Sequence, residues 1–551
     1  MSSESLPQLH ERKLKEFLAV NPDAGTVIGL HDPYDRLLPN GGRRRLDDTL
    51  ALLEGWRAEA TRLASGAQLS GEERLHLDVL DMSTDIVRFA IDEYPLWRMY
   101  PDCVESLGGL LFLMASRSYA PKEDRARDVT CRLRLIPEYL RQFRTRFDPG
   151  EPVTLWTHMA IESCDDLPGL LDFVHDSLAT GDDDEMADAV AEVKFCATEH
   201  REWAEQLLDY SRGDFAMGKE RFSKLLRIRR GEMSVDDILT LGKRRLKELE
   251  QERVSIAERI APGRGVKGAT EVSLSTAPKS FEEGLEMTRK EMESAKDFII
   301  KNRIATIDPK AELKVIETPA FLAPMLPYAA LSMSSKFEPV QKGEYLVTRP
   351  KDVKDLGSHL NEGSIINTAV HEAYPGHFHQ GVRTNSRHWT LLLGTMVISF
   401  DTFDSGTETC EGWAHYCEKM MFDNGYKATD LAAFEMVNGA LWRAYRVIAD
   451  IGLACGDSTF EEMVELGIEV AGVPRNASEA EVRRYTHTPG QPLSYLLGRE
   501  LIIEFRKQME TELGDAFDER RFHDLVADHG DIPFTMMRDR VKSEMSKDGV
   551  D

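Results

Sequence analysis

A chain of 551 residues with 42% hydrophobic and 30% charged side chains, and with no run of about 18 apolar residues, is expected to be soluble, globular and long enough to bury a large core. Its formal net charge of −26 speaks against nucleic acid or an anionic membrane as partner, because either surface repels it at long range. Seven scattered cysteines without a C-x-x-C pair argue against a disulfide frame or a thiolate zinc site, and the polar N-terminus lacks the order of a secretory signal, so a cytoplasmic protein is expected.

In chain order, most segments read as amphipathic helix. The acidic run "GDDDEMADA" near Gly181 reads as a solvated loop entering a helix. In "SVDDILTLGKRRLKELEQERVSIAERI", Leu239, Gly242, Leu246, Leu249 and Ile256 recur at helical steps, and Ser234 with Asp237 resembles a capping box. Ser280 with Glu283 marks another helix start. Between them "APGRGVKGATEVSLSTAPKS" is predicted to be a loop. The expected organisation is an N-terminal helical region over 1–260 and a catalytic region over 261–551, in one continuous unit. The following "LKVIETPAFLAPMLPYAALSMSSKFEPVQKGEYLVTRP" predicts two to four strands, "KVIET" and "GEYLVT" among them, as a small antiparallel sheet whose edge is suited to an extended substrate.

The stretch "TAVHEAYPGHFHQGVR" then carries His371-Glu372 and, six residues after the first histidine, His377. The usual zinc-peptidase spelling sets two histidines four apart on one helix face, with a glutamate base between them. Six residues point to nearly opposite faces of a regular helix. Pro375 breaks that regularity, since it has no N–H for the carbonyl of His371, and Gly376 tolerates unusual backbone angles. A bulge absorbing two residues is predicted to return His377 to the face of His371, with His379 as the alternative second histidine. Further on, "SGTETCEGWAHYCEKMM" places Glu408, Glu411, His415 and Glu418 on one helix stripe beside apolar neighbours, and a cation is the economical partner for such a stripe. Glu411 is the predicted third ligand; His415 or Glu408 is expected to orient a histidine ligand, and Glu372 is the predicted base that takes a proton from the attacking water.

A third block, "RRYTHTPGQPLSYLLGRELIIEFRKQ", offers Tyr485, His487, Gln491 and Tyr495. Tyrosine or histidine near a metal can donate to a developing oxyanion. Arg383, Arg484 and Arg499 are candidates for a substrate carboxylate, as Tyr485 and Gln491 are for other substrate contacts.

The blocks "HEAYPGHFHQ", "ETCEGWAHYCEKM" and "PGQPLSYLLGRELIIEFRKQ", together with "AGTVIGLHDPYDRLLP", "VIETPAFLAPMLPYAALSMS" and "RRFHDLVADHGDIPFTMMRDRV", resemble the domain of unknown function 885 family over nearly the whole chain. That family looks like a distant relative of the helical gluzincin peptidases. The resemblance implies a mainly α, zincin-like body split by a deep channel, with one Zn2+ per chain on His371, His377 and Glu411, Glu372 as base, and Tyr495 or His487 as oxyanion donor. The expected activity is a peptidase acting on short peptides, the size limit being what the resemblance implies; a metal-dependent amidase acting on a small non-peptide amide is the alternative, and a catalytically silent helical binding protein the rival class. Another divalent metal and either a monomer or a homodimer are compatible with it.

Overall fold

The computed structural model describes residues 6–64, 70–179, 184–319, 326, 328–338, 340–350, 352, 355–387, 403 and 405–547. They form a mainly helical protein with one three-stranded sheet. None of the described helices is long and apolar enough to cross a membrane. Gly181 and the two aspartates after it, the "AFLAPM" segment, and His388 lie outside the described residues.

The chain divides into two compact units, one of residues 1–217, 335–339 and 388–403, the other of residues 218–334, 340–387 and 404–551. The boundary near residue 217 differs from the change of region expected at 260. The helix Val235–Ile260 falls in the second unit because its close-packed partner is there: a Cβ on Gly242 would stand 2.7 Å from Val447 of the helix Asp430–Cys455.

In the first unit the helices Leu6–Val20, Arg44–Ala64 and Gly71–Arg88 put Phe17, Leu53, Trp56 and Leu80 into a common core. Ser70 and Glu73 close the last of these helices with a capping box. The "GLHDPYDR" stretch builds a polar cluster. His31 Nδ1 meets Asp35 at 2.9 Å and its Nε2 meets Glu338 at 3.3 Å. Tyr119 stacks on the imidazole at 3.4 Å and donates to Asp35 at 2.6 Å.

In the second unit Ser234 and Ser280 accept from the backbone N–H of Asp237 and Glu283, as their spacing predicts. The Gly/Ser/Thr-rich stretch expected to be loop contains the helix Gly265–Leu274, held by tertiary contacts that composition does not encode: Ala269 is fully buried and Ser273 donates to Glu435 at 2.5 Å. The strands are β1 (Glu312–Glu317), β2 (Ala329–Ser332) and β3 (Lys342–Val347), in the order β1-β3-β2. β2 pairs antiparallel to β3, but β1 pairs parallel to it, so the sheet is mixed rather than antiparallel. β2 lies on the side of β3 away from β1, and β3 in the centre satisfies both neighbours. β3 buries Tyr345, Leu346 and Val347, and Gly343 allows it to approach Phe378, whose ring a Cβ would meet at 2.8 Å.

Candidate metal centre

The helix Glu362–Glu372 begins at Asn361, whose side chain accepts from the N–H of Ser364 at 2.8 Å. Ile365, Ile366, Ala369 and Val370 bury one side and carry His371 inward. The helix ends at Glu372, as a proline three residues on requires. Where a bulge inside one helix was expected, the structure has two helices: Tyr374-Pro375 is a cis peptide, Gly376 donates to the carbonyl of Val370 at 3.0 Å, and His377–Asn385 starts at once. Only glycine fits the return, since a Cβ at Gly376 would lie 1.8 Å from the carbonyl oxygen of His371. Trp413 pins the turn by donating to the carbonyl of Pro375 at 2.8 Å. The outcome is that the rings of His371 and His377 stand 4.8 Å apart at an angle of 89°.

Glu411, on the helix Thr407–Asp423, completes a group whose ligand atoms all lie within 4.8 Å of one another. His377 Nε2 is 3.1 Å and His371 Nε2 3.8 Å from the same Glu411 oxygen. The far nitrogen of His371, Nδ1, meets Glu418 at 2.7 Å, which turns Nε2 toward Glu411. Glu418 also takes Asn367 at 3.2 Å, His415 at 3.2 Å and Arg443 at 3.3 Å. His415 therefore stands behind Glu418 and accepts from the buried Arg499 at 3.2 Å. Glu408 points elsewhere, accepting from the N–H of Phe534 at 3.2 Å with Arg229 at 3.7 Å. The expectation that His415 or Glu408 touches a histidine ligand is thus corrected: Glu418, seven residues after Glu411 on the same stripe, makes that contact.

Two histidines and one carboxylate match the donor set of a catalytic zinc site that keeps an open position, and the carboxylate behind one histidine is the usual support. The charges agree. Burial alone would raise the Glu411 carboxyl, but His377, with His371 and Tyr495, holds it down to about 2. Burial alone would lower His377, but Glu411 and Cys410 raise it well above the usual imidazole range. For Glu418, Arg443 and His415 overcome burial and keep the carboxyl well below its ordinary value. Burial, with Arg499 beside it, lowers His415 to about 3, so it is neutral, with Nδ1–H on Glu418 and Nε2 accepting.

Glu372 is half-buried next to His371, and no hydrogen bond or ion pair engages it among the described residues. Its charge reaches Tyr345 of β3, whose phenol is raised first by burial and then by this carboxylate. Tyr495 receives Gln491 Nε2 at 3.3 Å and lies near enough to Glu411 to feel its charge; burial and that charge raise its phenol, which stays a proton donor. Its helix, Ser494–Leu513, comes this close because glycine meets glycine: a Cβ on Gly412 would lie 2.4 Å from Gly498, and one on Gly498 would lie 1.8 Å from the carbonyl oxygen of Glu408.

The other expected residues take different places. His379 is buried, lowered to about 3 by burial and by Arg383 and His523, and lies outside the three-ligand group. His487 ends the helix Arg475–His487 and is lowered to about 4 by burial and Arg484. Arg383 pairs with Asp528 at 2.9 Å and Asp524 at 3.5 Å, and Arg499 sits behind His415, so both serve the scaffold. Tyr485 donates to Glu481 at 2.7 Å, while Gln491 accepts from Arg484 at 2.8 Å and passes the link to Tyr495.

No curated protein matches the chain. Two solved structures share its fold: a candidate lipoprotein of unknown function from Shewanella oneidensis, 21% identical with a TM-score of 0.77 over 98% of this chain and 100% of that one, and a candidate lipoprotein from Colwellia psychrerythraea, 17% identical with a TM-score of 0.78 over 98% of this chain and 99% of that one. The model of the bacterial proteins of unknown function termed DUF885 matches residues 22–541, a span that takes in both histidine helices, the Glu411 helix and Tyr495, and the chain belongs to that family.

Proposed function

We propose that the protein is a metal-dependent hydrolase, with zinc as the expected ion, that cleaves amide bonds in short peptides. The observation that carries this reading is the group of His371, His377 and Glu411 with the remote nitrogen of His371 seated on Glu418. A zinc ion there would act as a Lewis acid on the scissile carbonyl and make water easier to deprotonate. Glu372 takes the proton from the attacking water and delivers it to the leaving amine. Tyr495 donates its phenol O–H to the oxygen on which negative charge develops. Edge strand β2, half-buried along its length and packed beside the Glu362–Glu372 helix, offers its free edge to an extended substrate. A helical, gluzincin-like body with a channel admitting only short chains belongs to the same reading, supported by the order His-Glu, His, Glu along the sequence.

The test is elemental analysis and peptide-pool turnover on the wild type and three variants. The wild type and His379→Ala are expected to hold about one zinc per chain and His377→Ala to lose it, while Glu372→Gln keeps the metal and loses activity by about 10²–10⁴-fold. Full activity in Glu372→Gln, or no zinc uptake by the wild type, would rule the mechanism out. Turnover of small amides but of no peptide would move the substrate class.

A further inference from the structure

Beyond Tyr495 lies a group of arginine and aromatic side chains for which the hydrolytic steps have no use. Arg446, on the helix Asp430–Cys455, holds its guanidinium 4.5 Å from the centre of the Tyr495 ring and 5.2 Å from that of Trp442. Its Nε donates to Tyr485 Oη at 2.9 Å and its Nη2 to Glu481 at 2.9 Å. Those bonds occupy one edge of the planar fork, and the other edge consists of Nη1 and the second hydrogen of Nη2. No acceptor meets Nη1 among the described residues, and the side chain keeps 12% of its exposure, so this edge opens to solvent.

The charge around it is unbalanced. The same Glu481 oxygen also takes Arg484 at 3.0 Å and Tyr485 at 2.7 Å, so one carboxylate serves two guanidiniums. Although burial opposes it, Arg446 and Arg484 hold Glu481 down to about 2. Asp450, one turn after Arg446 on the same helix, has its oxygens on the N–H groups of Gly490 and Leu493, at 2.9 and 3.0 Å. A partly buried cation without a full counter-charge is costly and favours an anion brought by a ligand. Trp442 meets Tyr328 edge-to-face at 5.8 Å, and Tyr328 immediately precedes β2. The substrate edge, an aromatic pair and an open guanidinium edge therefore adjoin one another.

We propose that Arg446 anchors the free C-terminal carboxylate of a peptide substrate in a two-pronged pair, with Trp442 and Tyr328 beside the terminal side chain. This deepens the peptidase reading and rests on it. Tyr495 lies between the metal group and Arg446, near Glu411 and with its ring 4.5 Å from the Arg446 guanidinium, so the anchor stands roughly one or two extended residues, at ~3.3–3.6 Å each, from the metal ligands. The enzyme would then release one or two residues from the C-terminus.

The experiment compares N-acetylated tripeptide pools of random side chains, made as free acids and as C-terminal amides, binding to Glu372→Gln protein with zinc added, by calorimetry. Free acids are expected to bind about tenfold or more tighter than amides. Arg446→Gln in that background is expected to bring the acids to the level of the amides, with Arg446→Lys in between. Equal binding of the two pools, or binding of neither, overturns the anchor, and this comparison uses protein with Arg446 intact. A preference for acids that survives in Arg446→Gln overturns it as well. Turnover by the wild type separates the two claims: acids and amides cleaved alike keep the peptidase and remove the anchor, whereas acids bound through Arg446 and never cleaved keep the anchor and remove the peptidase.

Discussion

Glu418 shows how a side chain outside the three-residue group can govern the site. It fixes the ring of His371 through a 2.7 Å contact and is itself fixed by Asn367, His415 and Arg443. Removing its charge while keeping its shape, in Glu418→Gln, is expected to weaken metal binding by about 10–100-fold. Competition with a chromogenic chelator measures this, and an unchanged affinity would show that His371 needs no such support. The histidine pair and the Glu/His stripe were legible from residue type and spacing. Which carboxylate stands behind which histidine was not, because Glu408, Glu411 and Glu418 share one helix face and only the neighbours of that face tell them apart: Phe534 and Arg229 draw Glu408 away, while Arg443 draws Glu418 in.

Two elements had to be brought closer than side chains normally permit, and glycine marks both places. Gly376 lets the second histidine helix start against the end of the first, and Gly498 lets the Tyr495 helix lie on the Glu411 helix. Gly498→Ala would press a methyl group into the carbonyl of Glu408, 1.8 Å away, so the helices must part. The expected cost is ~1–3 kcal/mol of stability. Because Tyr495 sits one turn before Gly498, turnover is expected to fall more than KM rises while metal content stays near the wild-type level. A thermal shift alone, with kcat unchanged, would separate the helix crossing from catalysis. At this scale, apolar periodicity and Ser-x-x-acid caps located the helix starts at Val235 and Phe281. The direction of β1 and the helix Gly265–Leu274 escaped, since strand direction depends on partners far along the chain and a glycine-rich helix is held by burial rather than propensity.

At the scale of the whole molecule, the polar cluster of the first unit links its stability to alkaline pH. His31 faces Asp35 and Glu338 and stacks on Tyr119; burial alone would lower it, but the two carboxylates raise it to about 9. In the unfolded chain its value is near 6.5. The folded state therefore binds the proton more tightly, and the stabilisation is complete below pH ~6.5, declines as the pH rises, and is gone once the pH passes the folded value of about 9. The rise corresponds to on the order of 3 kcal/mol, and the side chain retains 20% exposure, so screening leaves most of it. Denaturant unfolding at pH 6 and at pH 9.5 is expected to show this loss in the wild type. His31→Gln, which keeps a donor but cannot be charged, is expected to start lower at pH 6 and to change much less between the two conditions. If both proteins lost the same stability over that interval, the alkaline sensitivity would belong to another group and His31 would be neutral in the folded protein.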